Sequence, residues 1–180
     1  MLTVETGSVV ALANSYVSLV EFAAFIGSIP QPAATDPELE RALILATRYI
    51  DGHYRNRWKG SRVLPQTQPL QWPRYGIRLE ASSSILGGIY TTGGGVQINN
   101  YILSTTIPQR LKDATCEAAL RALTEPLAKD TDSSLIRKKV DVLEWEWKPG
   151  AVVGQKTYQV IDQLLSDYLR PSGNTDLVRG

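Results

Sequence analysis

Few residues in this chain are of types that do chemistry. Among 180 residues there is one cysteine, Cys116, and one histidine, His53. A single thiol cannot close an internal disulfide, which suits a reducing compartment. One of each cannot build a Cys/His zinc site within one subunit, and no other cofactor is expected. Cys116 lies in an alanine-rich stretch, where a buried and inert thiol is the expectation. His53 falls near the end of a helical pattern, where a helix-terminal or surface histidine is the expectation and a general base is not. The motifs GxSxG, HExxH and CxxC are absent. The carboxylate pairs Glu38/Glu40 and Glu144/Glu146 read as solvated charges on a helix start and a strand face. An enzyme is not expected.

The residues that could bind something are basic and aromatic. Residues 51–78 hold six of the chain's 19 Lys and Arg (Arg55, Arg57, Lys59, Arg62, Arg74 and Arg78) against one of its 18 acids, Asp51. Trp58 and Trp72 are interleaved with them, in "RNRWKG" and "QWPR". Such a patch can meet DNA phosphates in a salt-sensitive way, or a neighbouring subunit. Its tryptophans could stack on unpaired bases. A large ring beside Gly or Pro in a loop is more simply an anchor into the core, and that is the expectation for Trp58 and Trp72. The net charge is only +1, so no global field pulls the chain onto nucleic acid or an anionic membrane.

The elements that must carry these residues are mostly helices. "SLVEFAAFIG" opens with a capping box, Ser18 and Glu21, and places Leu19, Phe22, Ala23 and Ile26 on one side. "TDPELERALILATRYIDGHY" has Thr35 and Glu38 at its start, with Leu39, Leu43, Ala46, Ile50 and Tyr54 at helical spacing. "TIPQRLKDATCEAALRALTEPLA" predicts a third helix with a Thr106–Gln109 capping box. It is apolar on two sides, as a central helix is. "TYQVIDQLLSDYLRP" predicts a fourth, with Tyr158, Ile161, Leu165 and Tyr168 as its stripe. Residues 1–14 read as an extended N-terminal arm and 171–180 as a C-terminal tail. Three prolines between 59 and 79 predict a packed loop.

Residues 81–105 contain no Lys, Arg, Asp or Glu. Two β-prone runs flank Gly93–Gly94–Gly95, the pattern of a long inserted hairpin. No lysine and no helix follow these glycines, so they do not form a phosphate-binding loop. An uncharged ribbon has unguarded edges. Ile89, Tyr90, Val96, Ile98 and Tyr101 are therefore candidate contacts with a partner, joined by Trp145 and Trp147 on a late strand or hairpin. That late segment has its apolar residues change parity between Val142 and Leu143, which implies a bulge, a turn or a strand covered on both faces. The fold class is mainly α in a single domain. No basic stretch precedes an apolar run at the N-terminus, which argues against a signal peptide. No run approaches the ~20 apolar residues that span a bilayer, so a soluble, intracellular chain is expected.

Several of these pieces, in this order, resemble one family. They are "TVETGSVVALANSYVSLVEFAAF", the helix ending Tyr49-Ile50-Asp51, Arg55-Asn56-Arg57-Trp58-Lys59-Gly60, and Gln68, Leu70, Trp72, Pro73 and Arg74, followed by the Pro108-led alanine helix. The chain resembles the head–tail adaptor (connector) proteins of tailed phages, many of which carry the label DnaT-like single-stranded-DNA-binding protein. One departure is the long uncharged hairpin, where the family has a short turn. The resemblance implies a four-helix, connector-like bundle in a virion structural protein. It would form a ring, a dodecamer, in the phage neck at the head–tail junction. Its partners would be the portal protein, a tail or head-closure protein, and double-stranded DNA passing through the channel without sequence specificity. The label implies the alternative, a single-stranded-DNA-binding protein of phage replication.

Overall fold

The computed structural model describes residues 1–27, 34–78, 90–92, 95–97, 101–127, 137–140, 143–146 and 158–171. The chain is mainly helical, with α1 (Leu19–Ile26), α2 (Asp36–His53), α3 (Gln109–Thr124) and α4 (Gln159–Leu165). A 3-10 turn, Ser166–Tyr168, extends α4. Short antiparallel pairs lie between them: β1 (Ser61–Arg62) with β2 (Arg74–Tyr75), β3 (Tyr90–Thr92) with β4 (Gly95–Gln97), and β5 (Arg137–Val140) with β6 (Leu143–Glu146). Val140 pairs with Leu143, so the two runs of opposite parity belong to two paired strands and not to one. The rest of the 81–105 insertion before residue 101, and the tail from 172 on, lie outside the described residues.

Helix starts are set by local chemistry. The Ser18 side chain accepts from the Glu21 N–H at 3.2 Å, and the Glu21 carboxylate accepts from the Ser18 N–H at 2.8 Å. Glu38 reaches back to the Thr35 N–H at 2.7 Å in the same way, and Pro37 sits in the first turn of α2. The third start differs from expectation. Pro108 occupies the cap position of α3, and its side chain offers no acceptor. Gln109 turns forward to Asp113 at 2.8 Å. Thr106 is taken up in a turn, its N–H donating to the Leu103 carbonyl, so no capping box forms there.

α3 is the central helix. It packs against α1, α2 and α4 and buries Leu111, Ala114, Thr115, Cys116, Ala118 and Ala119. Its alanines keep the bulk low where the neighbours approach. α2 faces it with Ala42, Leu43, Ala46, Thr47, Tyr49 and Ile50. α1 contributes the buried Phe22, with Leu19, Phe25 and Ile26 half-buried, while Ala23 points to solvent. Lys112 of α3 pairs with Glu21 of α1 at 2.5 Å. Ile161, Leu165 and Tyr168 close the core from the C-terminal side.

The expected extended arm of residues 1–14 is instead a closed loop. Val4 bridges Ser15 in parallel, and the Asn14 N–H donates to the Thr3 carbonyl at 2.8 Å. The cause is Glu5, whose side chain is buried. Its carboxylate accepts from the N–H groups of Gly7 at 2.8 Å, Val9 at 3.1 Å and Val10 at 2.9 Å. Within this loop Val9 lies at φ 59° and Leu12 at φ 61°, a left-handed backbone that L-residues rarely adopt. Gly7, at φ 104°, lies so close to Thr105 that a Cβ would stand 1.9 Å from its carbonyl oxygen.

Removing the Glu5 carboxylate leaves three backbone donors unpaired in a partly buried loop. Glu5→Ala should cost at least about 2 kcal/mol in urea unfolding, more than the ~1 kcal/mol expected for Ser18→Ala at the α1 cap. Equal losses would mean that the loop is not held by Glu5.

Candidate nucleic-acid interface

The loop that follows α2 is built on a buried hydroxyl. Tyr16 donates to the Asp51 carboxylate at 2.6 Å and accepts from the Trp72 N–H at 3.1 Å. The other Asp51 oxygen accepts from the Gln71 N–H at 2.9 Å. Burial first, and then the charge and hydrogen bond of Asp51, hold the Tyr16 pKa well above the usual phenol range. The group therefore stays a donor. Gln68, also buried, ties the loop to itself: it donates to the Leu70 and Pro73 carbonyls, both at 2.9 Å, and accepts from the Leu64 N–H at 3.2 Å.

These bonds drive both loop tryptophans inward. Trp72 is fully buried and Trp58 is 2% exposed. Their rings meet edge-on at 5.9 Å, and the series continues from Trp58 to Tyr54 at 6.0 Å and from Trp72 to Tyr168 at 5.5 Å. Edge-to-face contacts at this spacing are favourable for aromatic rings. Neither tryptophan is open to stacking on a base.

Around them, four short segments lie side by side. The Arg57 carbonyl accepts from the Arg170 N–H at 2.6 Å, and the Lys59 N–H donates to the Tyr168 carbonyl at 2.9 Å. Trp58 bridges Leu169 between these two bonds. Further along the same run, β1 pairs with β2. Beyond β2, Arg78 bridges Tyr101, and the Ile102 N–H donates to the Ile77 carbonyl at 2.9 Å. The order is 168–170, 57–62, 74–78, 101–102: an irregular antiparallel ribbon with Trp58, Tyr168, Leu169, Arg74 and Ile77 buried. Gly60, at φ 63°, lets the chain pass the Tyr75 carbonyl, where a Cβ would stand 2.2 Å from the oxygen.

The six basic residues of the loop divide sharply. Arg74 is buried and bonded to the carbonyls of Lys59 at 2.9 Å, Gly60 at 2.8 Å and Gln71 at 3.2 Å. Burial lowers its pKa, and the positive charges of Arg62 and Arg170 act in the same direction. Arg62 donates to the Pro65 carbonyl at 2.6 Å, and Lys59 to the Asp167 carbonyl at 2.8 Å. These three hold backbone. Arg55 and Arg78 are exposed, and half-buried Arg57 lays its guanidinium over the Tyr54 ring at 5.7 Å. The fold adds exposed Arg170 beside Arg57. Among the described residues, none of Arg55, Arg57, Arg78 and Arg170 forms an ion pair with a carboxylate. Nearby Asp167 pairs with Arg110, and Asp162 accepts from the Tyr54 hydroxyl at 2.6 Å.

Arg170 and the Tyr16–Asp51 pair escaped the reading from sequence. Arg170 gives no signal beyond being a cation after the last helix, because its neighbours come from the other end of the chain. Of the expected partner contacts, Tyr101 is exposed on the ribbon. Tyr90, Val96 and Trp145 are described as backbone only, and Ile89, Ile98 and Trp147 lie outside the described residues. His53 stacks on Tyr49 at 5.3 Å and meets Tyr54 edge-on at 4.6 Å. Burial pushes the Cys116 thiol up to about 12. Among the described residues, no group of His, Cys, Asp and Glu could hold a metal ion, and no helix is long and apolar enough to cross a membrane.

The Asp51 carboxyl is pushed up to about 6 by its enclosure, against the pull of the Tyr16 hydroxyl and the Gln71 amide. The folded chain thus holds this proton at pH values where the unfolded chain, with an ordinary aspartate, has lost it. Stability from this group is greatest below about pH 4 and is lost as pH rises through about 6. Lowering the pH from 7 to 4.5 should stabilise the wild type relative to Asp51→Asn by about 1–2 kcal/mol. A pH-independent difference between the two in chemical denaturation would contradict this.

A sequence-family model described as "Putative DnaT-like ssDNA binding protein" matches residues 1–180. No curated protein matches the chain, and no solved structure does.

Proposed function

The chain belongs to the family of DnaT-like ssDNA-binding proteins, and on that premise we propose that it is a non-catalytic protein that binds single-stranded DNA through the ribbon. The observation that carries the reading is the meeting of Arg57 and Arg170 across one backbone hydrogen bond, with no carboxylate partner for either among the described residues. Arg55 and Arg78 extend the same charge along the chain and toward the far edge. Phosphates would be the ligands of these four, because a guanidinium matches a phosphate with two parallel donors. Lys59, Arg62 and Arg74 act behind them as clamps on carbonyls. Net charge is only +1, so attraction is local and strongly screened by salt.

Binding of a labelled oligothymidylate, followed by fluorescence anisotropy, tests this. The wild type should bind with affinity that falls steeply with salt. The double variant Arg57→Ala/Arg170→Ala should bind weakly, with the log–log salt slope reduced by about 1.4. Wild-type affinity no better than millimolar at low salt would remove the reading.

A second reading is the head–tail adaptor ring. It is supported by the motif resemblance and by large apolar side chains left bare on the described surface. Leu12 is 84% exposed on its left-handed turn, and Val20 of α1 and Leu103 beside the ribbon are exposed too. Such residues suit burial against other subunits. The ribbon arginines would then face the channel or a neighbour. Negative-stain images of the protein mixed with portal should reveal decorated portal rings; undecorated portal beside free chains would count against it.

A further inference from the structure

The segment 74–78 continues β2 past a bend at Gly76, φ 75°, and leaves some of its side chains exposed. Arg74 and Ile77 point inward, Ile77 without any exposed surface. Tyr75 and Arg78 point outward, and Tyr101 stands across from Arg78 in the antiparallel bridge. Tyr75 is 53% exposed and Tyr101 54%. The two exposed phenols lie either side of one guanidinium along the chain path, Tyr75 shortly before Arg78 and Tyr101 across from it, with the backbone bent between Tyr75 and Arg78 at Gly76, φ 75°.

This surface is held in register from behind. The Ile102 N–H to Ile77 carbonyl bond sets the spacing of the two strands, and buried Ile77 prevents the strand from turning over. Ser61, opposite Tyr75, is small and exposed. No Asp or Glu lies among the described residues of these strands, 61–62, 74–78 and 101–103. The run 57–62 connects this surface directly to Arg57 and Arg170.

We propose that Tyr75 and Tyr101 are a base-stacking platform, taking unpaired bases of a single strand whose phosphates lie on Arg78 and along the ribbon to Arg57 and Arg170. This rests on the single-strand reading above and adds to it the residues that would distinguish single strands from duplex. Aromatic rings presented on a sheet stack on any base once it is unpaired, and cations beside them hold the backbone. In a duplex the base faces are already occupied, so the tyrosines would contribute nothing there. The buried tryptophans cannot serve this purpose, and these are the exposed aromatic rings the ribbon offers.

The full chain and two double variants, Tyr75→Ala/Tyr101→Ala and Tyr75→Phe/Tyr101→Phe, test this by anisotropy with a labelled oligothymidylate and a duplex of the same length. The alanine variant should bind the oligothymidylate about 100-fold more weakly, roughly tenfold per ring. Its salt slope and its duplex affinity should be unchanged. The phenylalanine variant should bind like the wild type, since the ring is kept. Wild-type affinity in the alanine variant overturns the platform while leaving the arginine reading intact. The same holds if the alanine variant loses only self-association in sedimentation, because the surface would then bind a second copy. Absence of oligothymidylate binding by the wild type itself overturns the single-strand reading and the platform with it.

Discussion

The buried hydroxyl of Tyr16 is the interaction on which the rest of the arrangement depends. It joins three parts of the chain that have no local reason to meet: the segment before α1, the end of α2 through Asp51, and the loop backbone at Trp72. A hydroxyl can donate once and accept as well, and here it does both. Each partner is a group that would be costly to bury unpaired. Once Trp72 is held there, its ring meets Trp58 and Tyr168, and the last segment of the chain is drawn beside 57–59. The ribbon is a consequence of this packing.

Charge is then divided by burial. Where the loop turns back on itself, carbonyl oxygens accumulate without backbone partners. Arg74, Arg62 and Lys59 supply the missing donors. Long cationic side chains suit this task because their stems pack while their heads donate. What remains at the surface is a smaller set of arginines, one of them from the far end of the chain. A patch that looks uniform in sequence is therefore part scaffold and part surface, and only the second part can meet a ligand.

Much of the helical frame was legible from local pattern. The capping residues of α1 and α2 and the apolar spacing of α2, α3 and α4 are properties of a few neighbouring residues, and the structure uses them as such. Thr106 failed as a cap for a reason outside that pattern, since its backbone is consumed by a turn with Leu103. The N-terminal stretch carries no helical period and so reads as an arm. Yet Glu5 closes it by collecting three N–H groups, a bond set that exists only after the loop has formed. Burial within α1 was also misjudged at Ala23, which is exposed, while Phe25, on another side of the helix, is half-buried.

By itself, then, the order of residues determined the helices and where two of them begin. It also set an excess of arginine and aromatic residues after α2. Those are consequences of backbone propensity, capping and composition, which act over a few residues. Only the tertiary structure decided which arginines are spent on carbonyls, that Arg170 stands beside Arg57, and that Tyr75 and Tyr101 are exposed while Trp58 and Trp72 are not. Burial and hydrogen-bond satisfaction are properties of segments brought together from across the chain, and no short window of sequence contains them.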